Sequence, residues 1–169
     1  HIVSASWDRT LKLWDLRTGR ELRTFQRHSD TITSVALTPD NRYLLSGSKD
    51  RTLKIWNLRT GRKLRTLQGH SQEITSIALT RDGNRIVSAS KDTTLKVWDL
   101  RLGKKLITLK GHLEKVNFVT VMPDGNRAAS VSSDHTLKVW DLTTGQTIAT
   151  FYADAEMNCC AVSPDGQTI

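Results

Sequence analysis

Cysteine is scarce in this chain: two among 169 residues, Cys159 and Cys160, and they are neighbours. A bridge between adjacent cysteines strains the ring it closes, so no disulfide framework is expected, and reduced thiols point to a cytoplasmic setting. No apolar run approaches the roughly 20 residues of a membrane helix, and no signal-peptide pattern opens the chain. A membrane is therefore not among the expected partners. No His or Cys cluster supports a metal site for the cysteine pair, and no cofactor is expected. Aromatics are only 6% of residues and do not interleave with the basic ones, so base stacking on nucleic acid lacks its usual surface. No stretch shows a 3.6-residue apolar period, which leaves strands rather than helices.

What the chain does have is positive charge and repetition. Lys and Arg number 25 against 17 acids, a net +8, which favours acidic proteins or nucleic acid as partners without saying anything of fold. Trp14, Trp56, Trp98 and Trp140 recur every 42 residues, each inside a near-copy of "LKLWDLRTGR". A repeat of that length marks one supersecondary unit that buries its faces only by stacking on its neighbours. With 37% hydrophobic residues the chain is long enough for a substantial core.

One unit, His28 to Gly69, shows the pattern. Ile32, Val35 and Leu37 step by three and then two, the mark of a strand with a bulge near Thr33–Ser34. Pro39-Asp40-Asn41 makes a turn, with Asn41 where the next units carry Gly83 and Gly125; Asn takes positive φ next most readily. "YLLSGS", "TLKIWNL" and "KLRTLQ" follow as three more short strands separated by Lys49-Asp50-Arg51 and Thr60-Gly61. Four antiparallel strands per unit, repeated, are best buried by radial stacking into a β-propeller.

Gly69-His70 with Asp92 and Trp98-Asp99, and Gly111-His112 with Asp134 and Trp140-Asp141, carry a resemblance to the WD-repeat β-propeller family. The second unit departs slightly, with Arg27-His28 and Trp56-Asn57. The resemblance runs the length of the chain, and the near-identity of the units resembles a recently amplified bacterial array. The fold class expected is all-β, a partial propeller of about four repeats. Residues 1–169 form one array: 1–27 a partial repeat, 28–69, 70–111 and 112–152 whole repeats, and 153–169 a second partial one. The cut phase reads as a segment of a longer protein. The chain starts at a second strand and ends just after a first, so one blade could be completed by its two ends. Closure of four blades, an open arc, and a pair of arcs joined as a dimer are the arrangements left open, with self-association of the fragment expected.

Each whole unit holds a His, a Ser and an Asp: His28, Ser46 and Asp50; His70, Ser88 and Asp92; His112, Ser130 and Asp134. The combination looks like a nucleophilic triad. An enzyme needs one such set, whereas this one recurs, and in each unit it stands beside a Trp (Trp56, Trp98, Trp140) whose N–H needs a partner when buried. The resemblance implies that these residues pin strands to turns, so no catalytic residue is expected. Ser4, Asp8 and Trp14 form a set without its histidine.

The resemblance also implies that the rim bearing the His and Asp loops binds proteins or peptides. Carried over by register, the exposed positions there are Thr31, Thr33 and Lys49; Glu73, Thr75 and Lys91; Lys115, Asn117 and Ser133. Trp7 takes the place before Asp in the first unit, where an aromatic could anchor a partner or pack on its own turn. In the last unit Asp154 stands in the His position, and Met157, Cys160 and Val162 keep the apolar phase of a first strand, so Cys160 reads as a core valine replaced.

Basic residues crowd the turn between third and fourth strands: Arg17 and Arg20, Arg59 and Arg62, Arg101 and Lys104. Charge on an outer edge strand keeps sheets from pairing edge to edge, which accounts for much of this. The alternative is a nucleic acid or other anionic partner at that rim. Lys12, Lys54, Lys96 and Lys138, two before each Trp, are expected to lay their stems on the blade and hold the ammonium in water. The leading function is a non-catalytic protein-interaction scaffold, which in longer family members is often a docking part of a signalling protein.

Overall fold

In a computed structural model describing residues 1–169, fifteen strands form four antiparallel meanders. The first sheet holds β1 (Ile2–Ala5), β2 (Thr10–Trp14) and β3 (Glu21–Gln26). The second holds β4 (Ile32–Leu37), β5 (Tyr43–Ser48), β6 (Thr52–Asn57) and β7 (Lys63–Gln68). The third runs β8 (Ile74–Leu79), β9 (Arg85–Ser90), β10 (Leu95–Asp99) and β11 (Lys105–Leu109). The fourth runs β12 (Val116–Val121), β13 (Arg127–Ser132), β14 (Thr136–Asp141) and β15 (Thr147–Tyr152). Within each sheet, sequence order is spatial order.

The bulge read from the three-then-two apolar step is present between Ile32 and Ser34, and again between Ile74 and Ser76 and between Val116 and Phe118. A second register shift falls before each repeat Trp on the side of the fourth strand, as between Ile55 and Trp56. Asn41 takes φ 56°, the left-handed value that Gly83 and Gly125 take in the next two units.

Three apolar cores lie between sheets rather than within them, as the stacking of open meanders requires. The first joins Leu11, Phe25, Ile32, Leu44 and Trp56; the second Leu53, Leu67, Ile74, Ile77 and Trp98; the third Ala89, Leu109, Val116, Val119 and Trp140. Consecutive sheets touch through β1 and β4, β4 and β8, and β8 and β12. Residue size is matched across these seams. Gly47 meets Ile74 and Ile77, whose Cγ2 atoms would lie 2.8 and 3.1 Å from an added Cβ; the equivalent Ala89 shares its core with the smaller Val116 and Val119.

The strand expected near Met157–Val162 is not there. Residues 153–169 hold a turn, with Ser163 N–H donating to Thr168 O at 2.9 Å, but no strand. A first strand is held in the other units by the second strand beside it, and no strand of the chain pairs with this one. The segment does not join β1, so the first sheet stays three-stranded and the two ends complete no blade.

Candidate functional site

Four places in one blade supply the second unit's polar set: the loop before β4, β5, the β5–β6 turn and β6. Antiparallel return brings that loop and that turn to one end of the sheet. Trp56 Nε1–H donates to Ser46 Oγ at 2.9 Å, Ser46 Oγ lies 2.7 Å from His28 Nε2, and His28 Nδ1 lies 2.7 Å from Asp50 Oδ2. Trp98, Ser88, His70 and Asp92 repeat the chain at 2.9, 2.7 and 2.8 Å. Trp140, Ser130, His112 and Asp134 repeat it at 2.8, 2.8 and 2.9 Å. In the first sheet Trp14 donates to Ser4 at 2.8 Å, and Asp8 holds only its own turn through Thr10.

One proton arrangement satisfies every atom. The indole N–H donates to the serine, the serine O–H to a neutral imidazole, and the imidazole Nδ1–H to the carboxylate. The three serines are 0% exposed, and the imidazole rings are buried beneath the turns. No substrate carbonyl could reach a serine already spent between a tryptophan and a histidine. The aspartates also bind the backbone: Asp50 Oδ2 accepts from Ser29 N–H at 3.1 Å, and Oδ1 from Thr52 N–H at 3.0 Å.

Burial by itself would raise the carboxyl pKa of Asp50, but hydrogen bonds from His28 and Thr52 outweigh it and hold the group far below the usual carboxylate range. Asp92 is held down in the same way by His70 and Thr94. Asp134 falls to about 2, where burial again opposes and Thr136, the Leu113 amide and His112 prevail. Burial pushes His112 below its ordinary 6.5 despite the pull of Asp134, in keeping with a neutral ring. Burial, with Cys159 beside it, pushes the half-buried Cys160 thiol up to about 11, so it is little ionised at neutral pH.

The rim positions divide. Trp7 is 86% exposed, which places its indole in solvent rather than packed on its turn. Lys49 and Lys115 are exposed, Thr31 is half-buried, and Glu73 pairs with Lys91 at 2.9 Å. Four others are not the free side chains expected of an exposed rim. Thr33 Oγ1–H reaches Ile74 O at 2.7 Å, Thr75 Oγ1–H reaches Val116 O at 2.6 Å, and Asn117 Nδ2–H reaches Met157 O at 2.8 Å. Each bonds the next unit's backbone. Ser133 is buried and bonds Glu156 Oε2 at 3.0 Å. A hydroxyl or amide five residues after each His was a repeated signal, and its role between units was missed.

The lysines also differ from expectation. Lys54 and Lys96 are buried, and burial lowers the pKa of both. Lys54 Nζ donates to Thr52 Oγ1 at 3.1 Å and lies 3.9 Å from Asp50; Lys138 Nζ donates to Thr150 Oγ1 at 3.0 Å. Lys12 pairs with Glu21 at 2.6 Å. Their heads meet hydroxyls or carboxylates of their own sheet instead of standing free in water.

At the opposite rim Arg17, Arg20, Arg59, Arg62, Arg101 and Lys104 are all exposed, and no carboxylate pairs with them. Two arginines of the edge strands have another task. Arg23 donates to the carbonyls of Thr60 and Arg59 at 3.2 and 3.0 Å, and Arg65 to that of Arg101 at 3.1 Å. These side chains tie one blade's outer strand to the next blade's turn.

The repeating geometry has its counterpart among known proteins. The family described as WD domain, G-beta repeat (WD40), matches residues 1–15, 19–57, 61–99 and 103–141. The chain belongs to the WD40 family. Two individual relatives are similar over about one repeat each. The nuclear distribution protein PAC1 of Arthroderma otae is 48% identical over 44 residues, which is 26% of this chain and 10% of that protein. Coronin-7 of Mus musculus is 44% identical over 43 residues, 25% of this chain and 5% of that protein. The chain thus matches a tenth or less of the length of these relatives.

Proposed function

We propose that this WD40 chain is a non-catalytic scaffold that binds a protein or peptide on the rim carrying the His and Asp loops. One contrast carries the reading: the polar set that recurs in every whole unit is buried, while several of the rim side chains that change from unit to unit stand in solvent. Trp7, Lys49 and Lys115 are such residues, and Thr31 lies half-exposed beside Lys49. An exposed tryptophan amid polar neighbours is a common energetic centre of an interface. The array boundaries at 28, 70, 112 and 153 belong to the same proposal, each unit offering one loop to the rim. No helix is long and apolar enough to cross a membrane, and a cytoplasmic site of action, in a signalling protein, completes the reading.

The test is selection of peptides from a displayed library against the whole chain, followed by Trp7→Ala and Lys115→Ala. Binding should weaken at least tenfold in one of them at unchanged melting temperature. Selected peptides that bind both variants as well as the parent would defeat the reading.

A second reading rests on the six unpaired cations of the opposite rim. Nucleic acid bound there would lose affinity steeply with salt, and Arg17, Arg20, Arg59 and Arg62 changed together to Ala would abolish it. Affinity for a labelled oligonucleotide that is flat between low and physiological salt would exclude it.

A further inference from the structure

Two consecutive seams between blades differ at several positions, and one of the differences decides whether two acceptors are filled from within the chain. Between the third and fourth sheets, Arg85 crosses the seam and its Nη2–H groups donate to Gly125 O at 2.9 Å and Asn126 Oδ1 at 3.0 Å. Forty-two residues earlier, Tyr43 stands where Arg85 stands, and Gly83 and Asn84 stand where Gly125 and Asn126 stand. Tyr43 donates nothing across its seam. No donor of the chain reaches Gly83 O, whose neighbour Asn84 gives its own carbonyl to Leu100 N–H. The Asn84 amide is oriented by its Nδ2–H bond to Asp82 Oδ2 at 2.9 Å, which leaves Oδ1 as the free end. The two acceptors that a guanidinium takes in one seam are thus unpartnered in the other.

They line a cavity of about 630 Å³. Ile55, Leu64 and Leu100 give it apolar wall for an aliphatic stem, and Asp40 and Asp82 are among its lining residues. Arg65 and Arg101 line it too, the first already donating to the Arg101 carbonyl. These two cations oppose a multiply basic ligand and suit one whose cation has a carboxylate nearby. At the next seam one guanidinium nitrogen, Nη2, serves both oxygens. The preference for arginine comes from the guanidinium's weaker hydration and its capacity to stack on an aromatic face such as Tyr43, which also lines the cavity.

We propose that the seam between the second and third sheets binds the arginine side chain of a partner peptide, with an acidic group beside it, in the place that Arg85 fills from within the chain at the next seam. The site lies at the end of the sheets opposite the His and Asp loops, and it holds whether or not that rim binds a partner.

The test is amide NMR titration of the whole chain with N-acetylarginine and, separately, N-acetyllysine, each of which carries a carboxylate. N-acetylarginine should shift the Gly83, Asn84 and Leu100 resonances saturably and leave Gly125 and Asn126 unmoved, and N-acetyllysine should bind at least tenfold more weakly. Tyr43→Arg, which copies the arrangement of the next blade, should keep the melting temperature and abolish the shifts. Asn84→Ala should weaken binding at least fivefold. The proposal is overturned by equal response to the two ligands, by shifts that survive Tyr43→Arg, by affinity undiminished in Asn84→Ala, or by no saturable shift in the parent chain.

Discussion

Ser46, Ser88 and Ser130 each stand between an indole N–H and an imidazole nitrogen, with no face open to solvent. That placement separates them from nucleophiles more firmly than composition could, since hydrogen-bond capacity rather than residue identity decides the role. It also has a pH consequence. Asp134 titrates at about 2 in the fold against 3.8 unfolded, and Asp50 and Asp92 are lowered further. The unfolded chain therefore binds more protons, and stability present above pH 4 is lost as pH falls through the folded values. His112, lowered from 6.5 by burial, acts in the same sense, its loss beginning as pH drops below 6.5. Melting temperature should hold level between pH 7 and 8, decline gently below 6.5 and steeply below 4. A melting temperature that rises from pH 7 to pH 4 would contradict this assignment.

Strands, turns and bulges were legible in the sequence because each leaves a local mark: the apolar step, Asn or Gly at positive φ, the alternating β-formers. Less legible were features set by a neighbouring unit. Thr33 and Thr75 read as exposed hydroxyls until the next blade's carbonyl is in place. Arg51, Thr93 and His135 hold φ near 65° without being Gly, a strain carried by the preceding Asp, whose carboxylate holds the residue two positions on. Nothing in the residue types announces it. The seam at Gly47 is another such case. In a strand with room, Gly→Ala stabilises; here the Cβ would meet Ile74 at 2.8 Å. Gly47→Ala alone should cost about 1–3 kcal/mol by overpacking. Adding Ile74→Val and Ile77→Val recreates the trio Ala89, Val116 and Val119 of the next seam. Valine keeps the Cγ2 methyl but loses Cδ1, which gives both side chains room to withdraw, so part of the loss should be recovered in denaturant unfolding. A stabilised single variant would show that the seam is looser than described.

At the scale of the molecule, the repeat made the array legible, but the state of its two flanks was not. The expected closing strand at 157–162 does not form, β1 keeps a free edge, and Tyr152, Phe151 and Leu113 lie exposed on the last unit. Open edges and apolar flanks favour pairing with a second copy. Light scattering should show a concentration-dependent dimer; a monomer at every concentration would exclude that pairing. The central claim, that the recurring His, Ser, Asp and Trp form the frame of a scaffold, is tested most directly by thermal unfolding of Ser88→Ala. Loss of the serine strands Trp98 Nε1–H and His70 Nε2 in the core, at a cost of about 1–3 kcal/mol. At about 2–4 °C per kcal/mol for a chain of this size, the melting temperature should fall by several degrees. A variant that melts with the parent would contradict the account.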